Sequence, residues 1–304
     1  MISLADFAPV TLDVKDKLVS HYSKFPQVHS DNSFVNMVCW NHYAHYQYAF
    51  LGDSLVLAST IDGDTKFRCP IGPPNSILLK DVLFLAKDAG DDAPFVIFGD
   101  EARGMVEETF PHLKLYEERA LFEYVYRSSD LADLPGKKFL TIRHQLNKFR
   151  HKCSYKLEPI TKETIEDVEK FLLEWCEWKD CDSVPVLAHE KDALFFAINH
   201  FSDLDLSGLA IRIDGKIGAI SLYEELNTDT ALIHFEKGLP ECEGIYKAIN
   251  AETANILRDR YTYINRESDL GVEGLREAKV RYHPDHMVPV YYVKKMDISK
   301  ETLK

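Results

Sequence analysis

The run Leu209-Ala-Ile-Arg-Ile213, Asp214-Gly215, Lys216-Ile-Gly-Ala-Ile-Ser-Leu-Tyr223 constrains the fold of this chain more than any other stretch. Two β-rich segments joined by an Asp-Gly pair, which accepts positive φ, predict a hairpin. Thr230-Ala-Leu-Ile-His-Phe-Glu236 extends that sheet, and Gly244 to Leu257 follows at helical spacing. Tyr261 to Ile264 predicts a short strand, Gly271 to Lys279 a helix that stops before Pro284, and Val288 to Val293 a last strand. Hairpin, strand, helix, strand, helix, strand describes an α/β unit around a mixed sheet.

The first part of the chain mixes the same ingredients. Leu12 to Tyr22 and Phe34 to His45 have apolar residues at helical spacing, and Tyr46 to Cys69 reads as a β-meander turning at Gly52-Asp53 and Asp62-Gly63. Pro70-Ile-Gly-Pro-Pro74 closes it as a loop. Ile77 to Ala86 predicts a helix, Pro94 to Phe98 a strand, Glu101 to Phe110 a helix and Leu121 to Tyr126 a strand. An N-terminal unit over 1–130 follows, with Asp130-Leu-Ala-Asp-Leu-Pro135-Gly136 as its boundary. A basic crossing helix takes 131–156, and a C-terminal unit over 157–304 carries the expected site. In that unit Ile165, Val168, Phe171, Leu172, Trp175 and Trp178 form a core stripe, and Ala188 to Phe201 reads as a helix.

A chain of 304 residues with 45% apolar content can build two such cores. Its formal net charge of -13 argues against a chain-wide surface for nucleic acid or anionic lipid. Any such partner must use a local patch. Residues 137–156 contain no acid, and Phe139, Ile142, Leu146 and Phe149 repeat at helical spacing there. A core-packed helix with an exposed basic face results, and Lys138, Arg143, Lys148 and Arg150 are candidates for docking phosphates of RNA or a phospholipid headgroup. A solvated face balancing acids elsewhere is the competing reading. The six cysteines show no C-x-x-C pair and no disulfide-like rhythm. With no signal peptide after Met1 and no run of about 18 apolar residues, a reduced, cytoplasmic, soluble protein is expected.

Charge gathers after Ile264. Asn265, Arg266, Glu267 and Asp269 lie where the short strand opens into its helix, and Arg276 and Lys279, three apart, share one face of that helix. Carboxyl ends of strands in open α/β sheets are where ligands bind. A structural ion-pair network bracing the turn is the alternative. His42 with His45 and His283 with His286 lack the further ligands of a zinc site, so no metal is expected.

Ile233-His-Phe-Glu-Lys237 before Gly244-Ile-Tyr-Lys-Ala-Ile-Asn250, and Tyr263-Ile-Asn-Arg-Glu-Ser-Asp-Leu-Gly271 with Leu275-Arg276, Ala278-Lys279 and Tyr282-His-Pro284, resemble soluble relatives of the phosphatidylglycerol lysyltransferase C-terminal domain. Phe34-Val-Asn-Met-Val-Cys-Trp40 with Pro70-Ile-Gly72 resembles the first unit of that family. Leu134-Pro-Gly-Lys-Lys138 with Asn147-Lys148-Phe149 resembles its basic segment. The resemblance implies two GNAT-like acyltransferase units in tandem. It also implies transfer of an aminoacyl group from aminoacyl-tRNA, as co-substrate, to an amine or hydroxyl acceptor on a small molecule, peptide or lipid headgroup. An acyl-CoA-dependent N-acyltransferase and a non-catalytic descendant binding RNA, a metabolite or a partner are the alternatives. GNAT enzymes grip the coenzyme A pyrophosphate with backbone N–H groups at a helix N-terminus. Lys237-Gly-Leu-Pro240-Glu241-Cys-Glu243-Gly244 stands there instead. Pro240 removes a donor and the glutamates repel a pyrophosphate, so coenzyme A is disfavoured and no cofactor is expected.

The expected site is the mouth between the strands ending at Glu236 and Asn265. Glu236 is the candidate base, with His234 two residues back on the same side of its strand. Tyr282 is a candidate proton donor to the leaving oxygen. Arg266, Arg276 and Lys279 are candidates for holding phosphate or the oxyanion, and Glu267 and Asp269 for binding an α-amino group. A helix-facing ion pair at Glu236 and a packed ring at Tyr282 are the structural alternatives.

Overall fold

β-Branched and aromatic residues build two seven-stranded sheets among residues 2–304, which the structure, a computed structural model, describes. One compact unit comprises residues 2–123 with Val288–Lys304, and the other Tyr124–Met287. Both are mixed α/β units, as the patterning predicts.

In the first unit the meander forms as expected, through strands Gln47–Leu51, Ser54–Ile61 and Asp64–Arg68. Asp64–Arg68 then pairs parallel with Phe95–Phe98, which pairs antiparallel with Val290–Val293. The helix between the parallel strands, Ser76–Ala89, is capped by Asn75 Oδ1, which accepts from Leu78 N at 2.9 Å. Its buried stripe of Leu79, Val82, Leu83 and Ala86 joins Val56, Phe67, Phe95 and Ile97 in one core.

In the second unit the sheet order is His286–Val288, Glu123–Arg127, Tyr263–Ser268, Thr230–Gly238, Lys216–Glu225, Ser207–Ile213 and Tyr155–Pro159. The predicted hairpin is Ser207–Ile213 against Lys216–Glu225, turning at Asp214 (φ 49°) and Gly215 (φ 84°). Helix Ile245–Leu257 covers one face and packs Ala248, Ile249, Ala251 and Ala254 into the core beside Phe149 and Ile264. Gly244 precedes it at φ 92°, and a Cβ there would lie 2.6 Å from Gln145 O, so the two helices approach through glycine.

Three expectations change. Glu123–Arg127, read as the end of the first unit, lies in the second sheet, whereas Val290–Val293, read as the last strand of the second unit, pairs in the first sheet. A short apolar strand carries no mark of which sheet it joins, because pairing partners are non-local. The basic helix, Leu140–Lys152, is not a separate crossing element. Ile142, Leu146 and Phe149 are part of the second unit's core, and edge strand Tyr155–Pro159 follows at once. The cysteines are not all free. Cys153 and Cys242 form a disulfide between the end of that helix and the loop before Gly244, and Cys39, Cys69, Cys176 and Cys181 remain thiols. Their separation of 89 residues hides the pair from any spacing rule. No helix among the described residues is long and apolar enough to cross a membrane.

Candidate functional site

Thr230–Gly238 and Tyr263–Ser268 run parallel through the pairs Thr230↔Tyr263, Ala231↔Ile264 and Leu232↔Asn265, then separate. The opening is crossed by side chains. Glu236 and Arg266 form an ion pair in which Arg266 Nη2, at 2.5 Å, and Nε, at 3.1 Å, both donate to Glu236 Oε2. Their side chains are 10% and 18% exposed, so the pair is largely dry. Asn250 Nδ2, from helix Ile245–Leu257, donates to Glu236 Oε1 at 3.2 Å.

Aromatic rings enclose the cation. The Arg266 guanidinium lies 5.0 Å from the Tyr282 ring centre and 5.8 Å from that of Tyr126, and the two rings meet edge to face. Burial works against the charge on Arg266, but Glu236 outweighs it and holds the guanidinium pKa above its ordinary value. Burial likewise pushes both phenols up, so Tyr126 and Tyr282 stay protonated. Lys247, on the first turn of the same helix, places Nζ 5.0 Å from the Tyr282 ring centre. Burial and then repulsion by Arg266 hold its pKa below the ordinary lysine range.

His234 does not share Glu236's side of the strand. Register slips between Leu222 and Tyr223, which face Phe235 and Ile233, so His234 is the extra residue of a β-bulge. The bulge breaks the alternation on which the same-side expectation rests. His234 Nε2 lies 2.8 Å from Glu224 Oε1 and Nδ1 3.2 Å from Glu267 Oε1. Burial alone would lower its pKa; the two carboxylates overcome this and push it up to about 10. With both nitrogens donating, the ring is an imidazolium that ties three strands together and has no lone pair for proton abstraction.

The remaining charges brace the turn. Asp269 is fully buried and accepts from Tyr124 OH at 2.6 Å, Arg276 Nε at 2.8 Å, Arg276 Nη2 at 3.0 Å and Gly271 N at 2.9 Å. Burial would raise its pKa, but Arg276 and Tyr124 hold it well below the usual carboxylate range. Lys279 Nζ donates to the carbonyls of Arg266 and Glu267, and Asn265 Oδ1 accepts from Glu267 N at 2.8 Å. These contacts support Glu267 at φ 59°. Sequence grouped Arg276 and Lys279 with Arg266; the structure brings Arg266 to Glu236 and sends the other two to the brace.

Each basic docking candidate has an internal partner. Lys138 Nζ lies 3.5 Å from Asp130, Lys148 Nζ 2.6 Å from Glu243 and Arg150 Nη2 2.8 Å from Glu252. Arg143 donates to the carbonyls of Leu134 and Gly136. Of the histidine pairs, His283 lies 3.1 Å from Lys138 O and His286 3.0 Å from Asp285 Oδ2. His42 Nδ1 lies 3.2 Å from Cys39 O, and His45 ends its helix at φ 41°.

Sequence reasoning did not single out Lys247, Asn250, Tyr126 or Glu224 as site residues. Lys247 and Asn250, three apart on one helix, were the detectable signal, because polar residues in the first turns of a core-packed helix demand partners.

Two mixed units whose parallel strands separate around polar side chains define a tandem GNAT-like acyltransferase fold. Known proteins agree. Residues 22–294 match the family described as phosphatidylglycerol lysyltransferase, C-terminal, and the chain belongs to that family. A conserved protein of unknown function from Bacteroides thetaiotaomicron VPI-5482 is 32% identical, with a TM-score of 0.86 over 95% of this chain and 99% of that one. L-PGS from Bacillus licheniformis is 14% identical, with a TM-score of 0.63 over 92% of this chain and 91% of that one. FemX, at 8% identity and a TM-score of 0.54, shares the fold over 98% of this chain and all of that chain. No curated protein matches.

Proposed function

We propose that this chain transfers an aminoacyl group from aminoacyl-tRNA to an amine or hydroxyl acceptor at the opening bridged by Glu236 and Arg266. The observation that carries this reading is a desolvated carboxylate–guanidinium pair, with Lys247 beside it, where two parallel strands of an acyltransferase fold separate. An aminoacyl ester is already activated, so alignment and charge stabilisation are the main requirements. The acceptor nitrogen or oxygen attacks the ester carbonyl, and Glu236 takes its proton. The ester C–O bond breaks, and the ribose oxygen leaves with a proton from the Lys247 ammonium, whose depressed pKa makes it a good donor. Arg266 stabilises the tetrahedral oxyanion. His234, Asp269, Arg276 and Lys279 act through positioning, and Tyr282 walls the cation instead of donating.

The loop before Gly244 favours a donor other than coenzyme A. Pro240 removes a backbone donor there, and Glu243, which lies against Lys148 and Lys152, adds negative charge where a pyrophosphate would sit. These exposed pairs are weak, so tRNA phosphates could displace Glu243 from Lys148. Incubating the protein in cell extract with labelled aminoacyl-tRNAs and, separately, labelled acetyl-CoA tests the reading. Label is expected to pass from tRNA to an acceptor; transfer from acetyl-CoA alone, or from neither, overturns it.

A further inference from the structure

The first unit holds a second fork that the proposed reaction does not use. Asp64–Arg68 pairs with Phe95–Phe98 only through Phe67↔Phe95 and Arg68↔Val96. Beyond it the chains diverge, as Ile71 bridges to Leu55 and Gly99 N donates to Pro289 O. Arg68 ends its strand at this divergence and is 4% exposed. Its guanidinium lies between the rings of Tyr46 (5.0 Å) and Phe98 (5.7 Å).

The frame around it is tightly made. Ser30 N lies 3.0 and 3.1 Å from the two oxygens of buried Glu123, and the Ser30 hydroxyl also donates to that carboxylate. His29 stacks on Phe98 at 4.1 Å and reaches Leu121 O at 3.1 Å. Within the frame the contacts are slack. Arg68 Nη2 is 3.8 Å from Asp31 Oδ2, well beyond a charge-assisted hydrogen bond. Asn36 Nδ2 stands 3.5 Å from Asp31 Oδ1 and 3.4 Å from Tyr46 OH. Arg68 Nη1 is buried and makes no hydrogen bond, although the Tyr46 hydroxyl lies close to the guanidinium. Asp31, its side chain 35% exposed, marks the side open to solvent.

A buried guanidinium with an unused donor calls for an acceptor. A simple anion would meet the Asp31 carboxylate, and a simple cation would meet Arg68. We propose that this fork binds a small zwitterion, its carboxylate on Arg68 Nη1 and Asn36 Nδ2 and its ammonium on Asp31. Long contacts around a buried cation and one open side are what such a site requires, and free α-amino acids are the smallest molecules of this class. The site is independent of Glu236 and Arg266.

Titration calorimetry of the full chain with the standard amino acids, acetate, methylamine and inorganic phosphate tests the proposal. At least one amino acid should bind, with acetate, methylamine and phosphate about tenfold or more weaker. Asp31→Asn should weaken binding about tenfold or more, and Arg68→Lys further. Hydrogen exchange should show protection in residues 27–38 and 66–71. Should Arg68→Lys misfold, Asp31→Asn, at a partly exposed position, carries the test. No amino acid binding at about 10 mM, phosphate or acetate binding equally well, or unchanged affinity in Asp31→Asn overturns the proposal.

Discussion

His234 should make the second unit lose stability as pH rises through the neutral range. Its pKa rises from 6.5 to about 10 on folding, because Glu224 and Glu267 outweigh burial. The sign follows from linkage. Between those values the folded chain keeps a proton that the unfolded chain has released, so unfolding free energy falls with pH. The contribution is complete below about 6.5 and gone above about 10. At ~1.4 kcal/mol per pH unit the ceiling is about 5 kcal/mol. Glu267 is partly exposed and screened by water, so about 2–4 kcal/mol is expected. Guanidinium chloride unfolding at pH 6, 7.5 and 9, in a Trp40→Phe background, would follow Trp175 and Trp178 of the second unit. The parent should show a falling midpoint, and His234→Gln, which has no titrating ring, a flatter one and lower stability at pH 6. Parallel profiles in the two proteins would refute the argument, since they would mean that His234 is neutral when folded.

Further expectations rest on separate contacts. Glu236→Gln keeps the shape and part of the Arg266 contact but removes the base, so single-turnover aminoacyl transfer should fall about 10²–10⁴-fold with donor binding retained. A normal rate in that variant would remove Glu236 from the reaction. Tyr124→Phe deletes the 2.6 Å bond to buried Asp269 and should cost about 1.5–3 kcal/mol in denaturant unfolding. Lys148→Ala should lower the salt dependence of tRNA binding by a slope of roughly 1; an unchanged slope would place tRNA elsewhere. Alkylation of the denatured, unreduced chain should label four cysteines and leave Cys153 and Cys242 blocked, whereas six labelled thiols would contradict the disulfide.

The hairpin through Asp214-Gly215, the meander and the helix after Gly244 were legible in the sequence because each follows from local turn chemistry and one period of hydrophobicity. The neighbourhood of the candidate site was legible for the same reason, since charge collected at the end of a readable strand. Which charges meet was not. The bulge at His234 depends on how a neighbouring strand pairs, and with it His234 meets Glu224 while Glu236 meets Arg266. The sheet that receives Val290–Val293, the bond between Cys153 and Cys242 and the unsatisfied Arg68 are likewise non-local. Local propensity and periodicity act over a few residues and are written along the chain. Pairing register, desolvation and the balance of buried charge arise only when distant segments exclude water together, and tertiary structure alone decides them.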